Sequence, residues 1–103
     1  MIETQIIKTF CLSRESYERY YKYVKLDYIK INYSNIYKIF NTIHSYYKKY
    51  EDKELITKEE LDLSYNSNYL LKEQERKEVS TLIDTVFKAE ITNSDAVIEL
   101  LDE

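Results

Sequence analysis

The sequence predicts an all-α fold, a compact bundle of about five to six short helices, read as one domain over residues 1–103. Three observations lead there. The chain has 103 residues, which suits one small domain. It contains no glycine and no proline, whereas tight two-residue hairpins want Asn-Gly, Asp-Gly or a leading glycine. Its apolar residues recur at helical spacing along several stretches.

In chain order, Ile2, Ile6, Ile7 and Phe10 form one helical stripe, with Glu3 near the positive end and Lys8 toward the other. This predicts a first helix over 2–12. Ser13 is a good N-cap, and Tyr17, Tyr20, Tyr21 and Val24 follow at i, i+3, i+4, i+7, giving a short tyrosine-rich second helix. Leu26 to Ile31 alternates like a strand, but one strand without a partner has no sheet to join, so the segment reads as an apolar connector. Ser34 or Asn32 then caps the strongest helix, whose stripe is Ile36, Ile39, Phe40, Ile43 and Tyr47, with Lys38, Asn41, Ser45 and Lys48 facing outward.

Residues 48–54 lack apolar periodicity and read as a helix end plus an exposed loop. Thr57 and Glu60 make a capping box that starts a short helix, Thr57–Leu63, carrying Leu61 and Leu63. Ser64 to Asn68 is the most turn-like segment available without glycine. Val79, Leu82, Ile83, Val86 and Phe87 form the stripe of a long helix over about 72–90, whose upstream half is all polar. Ala96, Val97, Leu100 and Leu101 begin another helix, and the sequence stops at Glu103, an abrupt end expected of a piece of a longer protein.

Missing glycine excludes the phosphate-cradling P-loop, the dinucleotide fingerprint and the G-x-S-x-G elbow, all of which need it where backbone approaches a ligand or takes positive φ. Ile, Lys and Tyr number 12 each, against 2 Ala and 3 Arg. That bias toward AT-rich codons points to a low-GC genome, phage or bacterial, and accounts for part of the missing glycine. The single Cys11 can form neither an internal disulfide nor a thiolate metal site. With no signal-like N-terminus and no run of about 20 apolar residues, a cytoplasmic protein without membrane contact is expected. Net charge is −4 overall, but residues 1–49 carry +5 and residues 50–103 carry −9, a dipole suited to docking complementary patches.

No constellation of residues supports catalysis, a cofactor or a metal. His44 is the sole histidine and reads as partly exposed, and Cys11 beside Phe10 reads as a buried thiol, so a Cys11–His44 nucleophile and base is not expected. Glu59 with Glu60, and Glu73 with Glu75, do not converge on one atom from a helix and serve as caps and solubilising charges. All twelve tyrosines lie between Tyr17 and Tyr69. Tyr23, Tyr46 and Tyr50 fall off the stripes, are expected to be exposed, and mark a protein interface before a nucleic-acid one. Arg19, Lys22, Lys48 and Lys49, interleaved with tyrosines, are the contacts a single-stranded nucleic acid would use. That supports a stand-alone nucleic-acid-binding protein as the alternative, with an acidic inhibitor of a host DNA-binding protein as a third class.

Met1-Ile2-Glu3, the helix ending in Phe10-Cys11-Leu12, the tyrosine-rich helix ending in Val24, and Asp27-Tyr28-Ile29 follow one another in an order that resembles the N-terminal domain of DnaB-type replicative helicases, the T4-like phage helicases in particular. In that family a long helix, here Asn35–Tyr50, is followed by a polar loop, a short capped helix like Thr57–Leu63, a helix like Glu78–Ala89, and the first arm of a helical hairpin. The resemblance implies a globular part over 1–93 and the start of a hairpin helix over 94–103. Glu54-Leu55-Ile56 stands where the family often has proline or glycine. The resemblance further implies a domain without its own catalysis, which self-associates around a ring of six subunits and docks primase or a helicase loader, ATP hydrolysis belonging to a downstream domain. Val97, Leu100 and Leu101 would then meet the rest of the hairpin or a neighbouring subunit, so a dimer or higher self-assembly is expected.

Overall fold

A computed structural model describes residues 2–69 and 72–89. Among these the chain is all α: α1 (Ile2–Leu12), α2 (Arg14–Tyr20) running into a 3₁₀ turn (Tyr21–Tyr23), α3 (Leu26–Asn32), α4 (Ser34–Lys49), α5 (Lys58–Asn68) and α6 (Glu73–Lys88). The expected hairpin start at 94–103, with Val97, Leu100 and Leu101, lies outside the described residues.

The fold is organised around α4, which packs against α1, α3 and α5, while α6 closes the far side on α5 and α1. A helix surrounded in this way buries more than one stripe. Besides Ile36, Ile39, Phe40, Ile43 and Tyr47, it buries Thr42 and Tyr46. The hydroxyl of Thr42 is satisfied by the carbonyl of Lys38 at 2.8 Å, and that of Thr9 by Gln5 at 2.8 Å, so these polar residues enter the core without an orphaned donor. Asn41, expected to face outward, donates to the hydroxyl of Tyr69 at 3.0 Å and ties the end of α5 to the middle of α4.

Both predicted caps with a side-chain bond form. Ser13 accepts from the amide of Ser16, and Thr57 and Glu60 make the reciprocal capping box. Three expectations are corrected. The segment 26–31 is helical, not a connector: Leu26 and Ile29, three apart, face α4, a period the alternation of the sequence concealed. The long helix begins at Ser34, with Tyr33 as its cap and no side-chain bond; Asn32 closes α3 and donates to the carbonyl of Tyr28 at 2.9 Å. Ser64 to Asn68 is not a turn but the last part of α5, because Tyr65, one turn beyond Leu61, is fully buried against the core, while Leu63 is exposed.

No non-glycine residue among those described takes positive φ. The helices end instead on residues with extended or near-extended backbone, such as Val24, Tyr69 and Ala89. At the end of α6, the ammonium of Lys8 donates to the free carbonyls of Phe87, at 3.2 Å, and Ala89.

Candidate interaction surface

The first dense polar site is structural. Arg14, the first residue of α2, reaches the C-terminal end of α4. Its Nη1 donates to the carbonyls of Tyr50 at 2.8 Å and Lys53 at 3.0 Å, its Nη2 donates to Tyr47 at 3.0 Å, and its Nε pairs with Glu18 at 2.8 Å. The guanidinium also lies over the Tyr47 ring, 5.2 Å from its centroid. One planar fork thus gathers the Tyr47 carbonyl in the last turn of α4 and the Tyr50 and Lys53 carbonyls just beyond it, a task that suits arginine and not lysine. Backbone bonds from Arg14 to Glu54 at 2.8 Å and from Ile56 to Cys11 at 2.7 Å pin the loop after α4 to the α1–α2 junction. Sequence reading did not single out Arg14. The available signal was that a chain with only 3 Arg among 15 basic residues spends one at the start of a helix.

An aromatic cluster continues from there. Tyr17 lies 4.7 Å from Tyr47 between ring centroids, and its hydroxyl meets Nδ1 of His44 at 2.6 Å. Tyr21 stacks on the His44 ring at 4.7 Å and 11°. His44 is therefore half-buried between α2 and α4, and burial, with Lys48 one turn on, lowers its pKa. Cys11 is fully buried, which pushes its thiol well above the ordinary range, the opposite of an activated nucleophile.

Of the tyrosines expected on the surface, Tyr23 and Tyr50 are exposed. Tyr46 is not: it is 6% exposed, packed between α4 and α5, with its hydroxyl donated to the Glu60 carboxylate. Its position three residues beyond Ile43 places it on the second buried stripe of α4. Glu60 thereby serves both the capping box and Tyr46. The bond from Tyr46 and the amide of Thr57 hold its carboxyl down to about 2.

Folded-state pKa values lowered below their ordinary range at His44, Glu60 and Asp84, the last held down by the bond from Lys58, give stability that is present at neutral pH and lost in acid. The His44 contribution is full above about 6.5 and is lost as pH falls below it; the Glu60 contribution is full above about 4.5 and is lost toward pH 2. The expected result is a urea midpoint that falls in two steps between pH 7 and pH 2. Glu60→Gln is expected to lower stability at pH 7 by about 1 kcal/mol, after allowing for its partial solvent contact, and to shrink the lower step to the part that Asp84 contributes.

Arg19, Lys22, Lys48 and Lys49 are all exposed. Arg19 pairs with Glu15 at 3.3 Å, while the ammoniums of Lys22 and Lys49 sit 5.2 and 5.3 Å from the ring centroids of Tyr23 and Tyr50. The structure does not gather them into one groove. Arg14 fixes the start of α2 at the end of α4, so chain direction carries Arg19, Lys22 and Tyr23 away from Lys48, Lys49 and Tyr50. The carboxylate pairs do not converge either: Glu59, Glu73 and Glu75 are exposed, and Glu73 pairs with Lys77 at 3.8 Å.

Among the described residues no group of three His, Cys, Asp or Glu side chains is placed to hold a metal ion. No helix among them is long and apolar enough to cross a membrane. Among the described residues, the remaining large exposed apolar side chains are Leu12, Tyr28, Ile31, Tyr33, Leu55 and Leu63. Compared with protein-family models, with curated proteins and with solved structures, the chain matches none.

Proposed function

We propose that this chain is a non-catalytic protein–protein interaction and oligomerisation domain of a phage or bacterial DNA replication protein, comparable to the helicase N-terminal domain that docks primase or a loader and helps organise a hexamer. The observation that carries the reading is the order of the helices. A short apolar helix, a tyrosine-rich helix, the short α3, a long central helix, a polar loop and a capped helix follow one another in that order. The surface supports an interaction role as well, since aromatic and aliphatic side chains stand exposed outside a core that is already closed.

The test is the gene downstream of codon 103. A continuing reading frame that encodes a P-loop ATPase domain is the expected result, and purified primase from the same genome is then expected to bind the chain in calorimetry. A stop codon after Glu103 would remove the helicase version.

A second reading, single-stranded nucleic-acid binding, draws on the two exposed cation–aromatic pairs at Tyr23 and Tyr50. It predicts that a labelled oligothymidine binds at low salt and that Tyr50→Ala and Lys48→Ala each weaken it. Tyr46→Ala is uninformative there, because it would damage the core. Unchanged anisotropy of the oligonucleotide at low salt excludes this reading.

A further inference from the structure

The short helix α3 presents the most exposed apolar side chain of the described residues. Ile31 on α3 is 83% exposed, and Tyr28, one turn earlier, is 56% exposed. Tyr33 at the end of the helix lies edge-on to Tyr28, with ring centroids 6.4 Å apart, and extends the patch toward the shallow groove lined by Ile36 and Leu82. Leu26 and Ile29 face the core. At 100° per residue this aims Ile31 directly away from it, with Tyr28 on one side of the outward face and Asp27 on the other. Asp27 and Lys30, three apart, share that second flank; among the described residues neither forms an ion pair, and the Lys30 ammonium rests 5.5 Å from the Tyr37 ring centroid, a contact it would exchange for a carboxylate.

We infer that α3 is a contact between two copies of this chain, packed antiparallel about a two-fold axis. The argument is charge complementarity. A two-fold axis lying in the contact plane and perpendicular to α3 reverses the helix direction but keeps each flank on its own side. Each Asp27 then meets the Lys30 of the other copy, so both pairs line one flank of the contact, and Tyr28 and Ile31 of both copies are covered beside them. A second copy fits this face better than a nucleic acid, because Asp27 beside Ile31 would oppose phosphates. This inference rests on reading the chain as an interaction domain and names one of its contacts. A single seven-residue helix with its neighbours covers less than the roughly 800 Å² a side of a stable complex, so the dimer is weak, with Kd on the order of 10–1000 μM.

The experiment is sedimentation velocity of the full chain from about 10 μM to about 1 mM. Concentration-dependent dimerisation is expected, with Ile31→Glu weakening it at least about tenfold and leaving the helical circular dichroism unchanged. Asp27→Lys and Lys30→Asp are each expected to weaken it, and the double variant to restore it to near wild type, a rescue that a purely structural role of either residue would not produce. A chain that stays monomeric up to 1 mM, a double variant no better than the single ones, or dimerisation unaffected by Ile31→Glu overturns the contact. A monomer that still binds primase overturns the contact alone. Dimerisation through α3 combined with a stop codon after Glu103 overturns only the helicase reading.

Discussion

Tyr47→Ala is expected to cost about 3–5 kcal/mol, close to the whole stability of many domains this size, so the variant should be largely unfolded at 37 °C by circular dichroism. The residue is fully buried, and its ring fills the space between Tyr17 on one side and the Arg14 guanidinium on the other. Its hydroxyl donates to the carbonyl of Phe10 at 2.6 Å near the end of α1, where no helical amide is available to that oxygen. Tyr47→Phe separates the two roles. It keeps the ring and orphans the carbonyl, for an expected cost of about 1–3 kcal/mol. A urea midpoint for Tyr47→Phe equal to that of the natural chain would show that the hydroxyl bond contributes nothing net.

Arg14→Ala is expected to be the most damaging substitution of any charged residue, at least as costly as Tyr47→Phe, while Arg19→Ala, on the same helix, changes little. Both arginines have an i,i+4 glutamate partner, at 2.8 and 3.3 Å, and exposed pairs of that kind contribute little. The difference lies in the three carbonyls of Tyr47, Tyr50 and Lys53 that Arg14 alone reaches. Arg14→Lys is expected to recover only a small part, since one ammonium cannot span three acceptors in a fixed fork. Thermal midpoints of the three variants decide it, and a lysine variant as stable as the natural chain would refute the fork geometry.

Where the sequence carried a long periodic signal, helix formation was legible. The stripe from Ile36 to Tyr47 and the capping box at Thr57 and Glu60 both form as read. What failed was anything that depended on how many neighbours a helix has. Tyr46 looked exposed because one apolar stripe was assigned to α4, whereas a helix contacted by α1, α3 and α5 buries a second. Six residues from Leu26 to Ile31 are too few for period 2 to be told from period 3.6, and the tertiary contact of Leu26 and Ile29 decides between them. Ser64 to Asn68 has turn-like composition because it is the wet face of α5, and Tyr65 is the lone anchor that keeps it helical. The exposed surface of α3 could not be read before α3 itself was known to be a helix. The Arg14 site joins residues more than 30 positions apart through main-chain carbonyls, which no side-chain pattern announces.

The absence of positive φ among the described residues has an evolutionary meaning. A left-handed position acts as a fixed demand on the gene, because most replacements of its glycine strain the backbone. A bundle whose helices stop on extended residues makes no such demand, and its codons are free to follow the base composition of the genome. Drift toward AT-rich codons can therefore strip such a chain of glycine without removing anything the fold uses. The same property should make this scaffold tolerant of substitution at the extended residues that close its helices, with its constraints concentrated in a few side chains such as Arg14 and Tyr47.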